Sequence, residues 1–451
     1  MRVLVTGATG FIGKELLQML REKGHDIAVL TRDAETSGVR LPLFCDVFEW
    51  DASLLEPPLE AFEGVDAVVH MTGESVMGRW TDAKKNEISR SRILSTNHLV
   101  QAFHRLEKKP SVFIAGSATG FYGDRQGLEL DESASPGGGF LATLANDWEK
   151  EIFKAEEQGI RTVALRTGIV LGHEGGAMKR MLPAFRMCLG ASLGGGDQWM
   201  SWIHERDLGG LIMHALENES VTGPMNGVSP YPVTNKEFTK AMGRAVSRPA
   251  FLFIPKFILN LVLGEMSDVL LNSAKVLPKK AEDTGYQFEY PELEKALPSL
   301  CNQLAHDWVI EQWVPATPEE VFTFFMDKKQ MEKISAPWLN FRVMSQSEDP
   351  IKEGTCLNYR FKVRGIPMCW QSMIIDWKKN ESFTDIQVAG PYAIWTHIHD
   401  FIEKDGGTII RERAIYMVPF CVPGDVVIHP FVRHDLEKIF THRGKKIAEH
   451  F

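Results

Sequence analysis

With 451 residues the chain exceeds the usual size of one domain, so two domains are expected. Its 44% hydrophobic and 24% charged residues are those of an ordinary globular protein, and a formal net charge of −9 supplies no broad basic field, which argues against a nucleic-acid partner. Six cysteines, at positions 45, 188, 301, 356, 369 and 421, show no paired metal-ligand spacing and read as small apolar residues of a reducing compartment. The first strand pattern begins at once, leaving no room for a signal peptide. The longest apolar stretch, Phe251 to Leu263, is interrupted by Pro255, Lys256 and Asn260 and is too short to span a bilayer. A cytoplasmic protein without a membrane span is expected, and its oligomeric state is left open.

In chain order, strands are predicted at 2–6, 26–30, 66–71, 111–116 and 162–167, with helices over 11–23, 82–106 and 142–158. That alternation implies βαβ units and a doubly wound parallel sheet, with any ligand beyond the carboxyl ends of the strands. Between the first strand and first helix stands Thr6-Gly-Ala-Thr-Gly-Phe-Ile-Gly13. Gly7 can make a tight turn, Gly10 lets backbone approach a pyrophosphate, and Gly13 lets the helix pack on the strand. Thr9, Phe11 and Ile12 complete this dinucleotide-binding loop. The second strand ends in Leu30-Thr31-Arg32-Asp33. An acidic residue at that tip would accept from the ribose 2′-hydroxyl of NAD, whereas Arg32 suits the 2′-phosphate of NADP; NADP (NADPH) is the expected cofactor, with Asp33 the residue that argues the other way.

From 168 to about 300 the pattern is more irregular, with glycine-rich stretches at 172–176 and 190–196. A second composition begins near 305. A strand-like Trp308–Val314 precedes Thr317-Pro318-Glu319-Glu320, where Thr317 can cap a helix, Pro318 suits its first turn and Glu320 completes a capping box. Six alternating segments follow (341–347, 355–363, 369–377, 383–388, 393–402, 408–418), and a long amphipathic stretch runs from Val426 to His450. One strand, a short helix, an antiparallel sheet and a C-terminal helix resemble the helix-grip fold of the START-like/polyketide-cyclase superfamily. The resemblance implies an α+β domain at 305–451, after an α/β domain at 1–300, with an apolar cavity for a ligand. Six of the eleven tryptophans fall in this final third, and they fit either a cavity lining or a plain core. Trp395, His397 and His399 alternate and share one face of a strand; no third ligand with suitable spacing is evident, so no metal is expected.

The Gly-x-x-Gly-x-x-Gly spacing at 7, 10 and 13 resembles the extended short-chain dehydrogenase/reductase group. Such enzymes need a tyrosine and a lysine four residues apart on a helix, and a serine on a nearby strand end. Gly116-Ser117-Ala-Thr-Gly-Phe-Tyr122-Gly-Asp124 resembles the serine-bearing loop. The helix that should carry the pair reads Phe140-Leu-Ala-Thr-Leu-Ala-Asn-Asp-Trp-Glu149, and the two positions hold Leu141 and Ala145. This absence is a family mark. The chain is similar to a branch of epimerase-like proteins typified by Gly73-Glu-Ser-Val-Met-Gly-Arg-Trp-Thr81, Asp147-Trp-Glu149, Arg166-Thr-Gly-Ile-Val-Leu-Gly172 and Met200-Ser-Trp-Ile-His204, some of whose members are fused to a START-like domain.

That resemblance leaves Ser117 and Tyr122 as the acid/base candidates. Asp51 is a candidate adenine contact or a turn residue, and Gly73 gives the cofactor passage beside His70. Glu74, Arg79, Trp80 and Arg92, with Trp202 on a strand bordering the cleft, are the candidate substrate contacts; two arginines and an indole suit an anionic or aromatic small molecule. Two readings stand: an NADP-dependent oxidoreductase or epimerase with an unorthodox proton donor, or a non-catalytic NADP-dependent sensor or binding protein.

Overall fold

The computed structural model describes residues 1–34, 41, 45–173, 175–301, 305–419, 424 and 427–451. The chain falls into two compact units that divide near residue 304.

The larger unit is organised by β1 (Arg2–Thr6), α1 (Phe11–Glu22), β2 (Asp26–Thr31), β3 (Asp46–Glu49), β4 (Ala67–His70), α2 (Asp82–Arg105), β5 (Val112–Ala118), α3 (Phe140–Phe153), β6 (Arg161–Thr167), α4 (Glu205–Glu217) and β7 (Gly223–Gly227). The seven strands form one parallel sheet in the order β7-β6-β5-β4-β1-β2-β3. This is a Rossmann-like sheet whose strand order reverses between β1 and β4, where a crevice opens at the carboxyl ends. The central strands are apolar because helices cover both faces: Val3, Leu4 and Val5, and likewise Ala67, Val68 and Val69, are buried. On one side Leu4, Val68 and Phe113 pack with Phe103 of α2 and Trp148 of α3. A second core joins Trp202, Phe238 and Leu297 in the irregular half.

Two strands escape the sequence patterns. Asp46–Glu49 is short and polar at both ends, and Gly223–Gly227 contains two glycines and a proline; both are edge strands recruited by the register of their neighbours. The helix expected over 142–158 begins at Phe140, ends at Phe153, and is followed by a single 3₁₀ turn, Glu156–Gln158, closed by Gly159 at φ +78°. Among the described residues no helix is long and apolar enough to cross a membrane.

The smaller unit comprises β8 (Ala305–Val314), α5 (Pro318–Met326), α6 (Lys328–Ile334), β9 (Arg342–Gln346), β10 (Cys356–Val363), β11 (Ile366–Lys378), β12 (Ser382–Ala389), β13 (Ile394–Lys404), β14 (Gly407–Met417) and α7 (His429–His450). Its antiparallel sheet has the order β8-β14-β13-β12-β11-β10-β9. The expected capping box is present: Thr317 accepts from the Glu320 backbone, and Glu320 accepts from the Thr317 backbone. The amphipathic stretch expected from Val426 forms a helix from His429, burying Leu436, Phe440 and Ile447; Val426 and Cys421 lie outside the described residues.

Candidate functional site

The crevice of the larger unit is built on the glycine loop. Gly7 holds φ +73°, and a Cβ there would stand 2.7 Å from the Met71 carbonyl oxygen. At Gly13 a Cβ would meet the Gly7 oxygen at 2.3 Å and the Ala8 Cα at 2.6 Å, so only glycine lets α1 sit against the loop. Gly10 is the N-cap of α1 and no side chain caps the helix, so its first N–H groups are left to an outside acceptor. Thr9 and Gly10 are exposed, while Phe11 and Ile12 are half-buried. The Phe11 ring is itself cradled by glycines: a Cβ on Gly172 or Gly175 would stand 2.1 Å from it, and one on Gly176 would stand 3.2 Å away.

Arg32 follows the tip of β2 and is exposed. Its charge reaches Asp51 and Glu74. The Asp51 carboxylate accepts from the backbone N–H (3.0 Å) and hydroxyl (2.7 Å) of Ser53, and these bonds lower its pKa more than Arg32 does; the residue therefore closes a turn. Glu74 pairs with Lys84 at 2.7 Å. Gly73 lies beside the Arg92 guanidinium, which a Cβ would approach to 3.2 Å. Arg92 is spread over Trp148 at 5.4 Å and donates to the Ile88 carbonyl, and burial pushes its pKa down to about 10. Arg79 is exposed. The structure sends the other two candidates inward: Trp80 packs edge-on to Phe140 at 5.1 Å and donates to the Val76 carbonyl, while Trp202 is fully buried and donates to the Tyr231 carbonyl.

Ser117 and Tyr122 are brought together by a buried network that sequence reasoning missed. Ser117 donates to Glu149 Oε1 at 2.6 Å, and Arg166 clamps both Glu149 oxygens at 2.8 Å each. Arg166 also donates to the Tyr122 hydroxyl at 2.9 Å and stacks on Phe121 at 3.6 Å. The Tyr122 hydroxyl donates to Asn226 Oδ1 at 2.7 Å. Tyr122 is fully buried, and burial pushes its pKa up to about 12 despite Arg166. The positions that carry tyrosine and lysine in the extended group stand in apolar packing: Leu141 lies 3.2 Å from a Cβ built on Gly120, and Ala145 is buried with Phe121, Tyr122 and Val276.

A second unanticipated chain runs beneath the crevice. Thr72 Oγ1 donates to Thr6 Oγ1, which lies 2.7 Å from His70 Nδ1, while His70 Nε2 meets Ser95 Oγ at 3.2 Å. Ser95 in turn donates to the Ser91 carbonyl, an order that assigns the imidazole proton to Nε2. Burial pushes the His70 pKa down to about 3. The native ring stays neutral while the unfolded ring takes a proton below about pH 6.5, so this stability is present above that pH and is lost as pH falls toward 3. The expected slope from this group is about 1.4 kcal/mol per pH unit. Urea midpoints between pH 7 and 5 should therefore fall more steeply in the wild type than in His70→Asn; equal slopes would refute the assignment.

In the smaller unit a cavity of about 520 Å³ lies among residues of the sheet and α7. Phe341, Phe361, Trp370, Leu436 and Phe440 are among its lining residues, and Trp395, His397 and His399 place their shared face into it. Asp385 lies directly across the β12–β13 ladder from His397, a neighbour that spacing along the chain does not reveal.

Residues 3–226 match the NAD dependent epimerase/dehydratase family, and residues 254–300 match a domain of unknown function, DUF1731. Epimerase family protein YfhF of Bacillus subtilis is 36% identical over 301 residues, covering 66% of this chain and 98% of that protein. Human epimerase family protein SDR39U1 is 35% identical over 306 residues, covering 66% of this chain and 99% of that protein. The crystal structure of human SDR39U1 (isoform 2) with NADPH superposes with a TM-score of 0.60 at 34% identity, covering 67% of this chain and 99% of that one.

Proposed function

The chain belongs to the epimerase family, and from that premise we propose that its larger unit binds NADP(H) in the crevice between β1, β2 and β4. The observation that carries this reading is the glycine cradle, whose missing side chains leave backbone and an uncapped helix N-terminus open to a pyrophosphate. Thr9, Gly10, Phe11 and Ile12 would hold that group, Arg32 the 2′-phosphate, and Asp51 the edge of the adenine pocket, with Gly73 leaving room at the nicotinamide end. The NADPH in the human relative's structure supports the choice of cofactor. Bound NADPH supplies a hydride. Leu141 and Ala145 supply no proton to accompany it, and the hydroxyls of Ser117 and Tyr122 are already engaged inside the buried network. These contacts favour an NADP(H)-dependent binding protein over an epimerase working through the tyrosine–lysine pair. Glu74, Arg79 and Arg92 are the polar side chains we assign to an anionic small molecule at that end, with Trp80 packed beneath α2; Trp202 belongs to the separate core around Phe238 and Leu297.

For the smaller unit we infer a START-like, helix-grip domain that takes an apolar ligand. Its support is the antiparallel sheet, the long terminal helix and an aromatic-lined cavity large enough for a small molecule.

Calorimetric titration tests the first reading. Wild-type protein is expected to prefer NADPH to NADH, and Arg32→Ala to lose about 10- to 100-fold in NADPH affinity, the worth of a charge-assisted phosphate contact, with NADH unchanged. Absence of binding by either cofactor would overturn it.

A further inference from the structure

At the polar end of the smaller unit's cavity Asp385, His397 and His399 line the wall and Glu412 stands behind them, on three neighbouring strands. Their placement follows from register: Asp385 on β12 stands opposite His397 on β13, and Glu412 on β14 stands opposite His399. Alternation along β13 puts both histidines on the same face. All four are largely withdrawn from solvent, with side-chain exposures of 17% for Asp385, 7% for His397, 4% for His399 and 6% for Glu412.

Each histidine is caught between the two carboxylates. Asp385 Oδ2 lies 3.4 Å from His397 Nδ1 and 3.2 Å from His399 Nε2. On the far side Glu412 Oε1 lies 3.7 Å from His397 Nε2 and 3.3 Å from His399 Nδ1, and Arg443 meets that same oxygen at 3.0 Å. Neither of the two far-side imidazole nitrogens has an aligned hydrogen bond. Arg443 pairs with one of the two carboxylates, which leaves Asp385 as the carboxylate facing both imidazoles on the cavity side.

We propose that Asp385, His397 and His399 form a site for a divalent transition-metal ion of the zinc class, with Glu412 and Arg443 behind it. Two histidines and one carboxylate are a donor set of catalytic zinc sites, which keep a further position open. Zinc–ligand distances near 2.0–2.1 Å put neighbouring ligands of a tetrahedron about 3.3 Å apart, and the two Asp385–histidine separations bracket that length. The three ligand atoms all lie within 4.8 Å of one another. Glu412 stands where a ligating histidine commonly places its other N–H, against a carboxylate that fixes the ring. All three ligands line the cavity, so the remaining position opens on it and selects a ligand with an apolar body and one oxygen or nitrogen donor.

The test is metal analysis of untagged full-length protein from medium supplemented with zinc and iron, followed by cobalt(II) substitution after chelation. About one equivalent of zinc per chain is expected, together with the strong visible absorption of four-coordinate cobalt. Asp385→Asn and His399→Gln should each lower the bound metal at least tenfold while keeping the far-ultraviolet circular dichroism of the wild type. One equivalent of iron, lost in the same variants, would support the site and overturn the zinc assignment. No metal in the wild type, weak six-coordinate cobalt absorption, or metal retained by both variants would overturn the proposal, leaving a buried network balanced by a proton. The cobalt spectrum of the wild type decides the matter even where a variant fails to fold.

Discussion

Replacing Arg166 by methionine is expected to destabilise the larger unit by about 3–5 kcal/mol, the cost of stranding one member of a buried ion pair. The guanidinium and the Glu149 carboxylate are only 4% and 6% exposed, and they meet through two parallel hydrogen bonds. Without Arg166, Glu149 keeps the Ser117 hydroxyl as its donor at 2.6 Å, and the Tyr122 hydroxyl loses the N–H directed at it. A charge held that far from water cannot be hydrated in place, so the native state carries the penalty. The double replacement Glu149→Gln with Arg166→Met removes both charges and should recover a good part of the loss, because well-packed neutral groups are often no less stable than a buried pair. Chemical denaturation of the three variants measures this. A single variant within about 1 kcal/mol of wild type would mean that the pair contributes no more than an exposed one.

The second large effect is expected at Gly13. In Gly13→Ala the new methyl collides with backbone, the Gly7 carbonyl and the Ala8 Cα, neither of which can rotate away. Overpacking of this kind costs about 1–3 kcal/mol, and the relief available is to slide α1 off the loop. That movement displaces the N–H groups proposed to hold the pyrophosphate. NADPH affinity should therefore fall by about 10- to 100-fold, with a lowered melting temperature. Gly138→Ala is the control, since a Cβ there meets nothing within 4 Å. Unchanged NADPH binding by Gly13→Ala would remove the cradle from the binding site.

The β1–loop–α1 unit was legible because its information is local. An apolar strand, a turn that only glycine can make and a helix of period 3.6 are consecutive in the chain. The alternation that gives a Rossmann-like sheet was legible for the same reason, whereas the edge strands Asp46–Glu49 and Gly223–Gly227 carry little pattern and are held by their neighbours. Local reading is weakest where a side chain's fate depends on distant partners. Tyr122 looks like a free phenol until Asn226, 104 residues away, and Arg166 occupy its hydroxyl. Trp80 and Trp202 carry nothing in their own segments to say that their rings fill cores. The Asp385–His397–His399 grouping is likewise a product of strand pairing, and the search for a third ligand along one strand could not reach it.

The cradled ring of Phe11 has a consequence for how such chains vary. Gly172 and Gly175 are small because an aromatic ring from the first helix occupies their side-chain space, whereas Gly176, at φ +60° and with a Cβ 2.3 Å from the Val170 oxygen, is kept small by backbone. Positions 11, 172 and 175 therefore make one heritable unit. A lineage that trades the phenylalanine for a small residue opens a void that the glycines are then free to fill, whereas a lineage that enlarges a glycine first must evict the ring. Substitutions at position 11 should precede those at 172 and 175, and the order of events would be readable in ancestral reconstructions of the group.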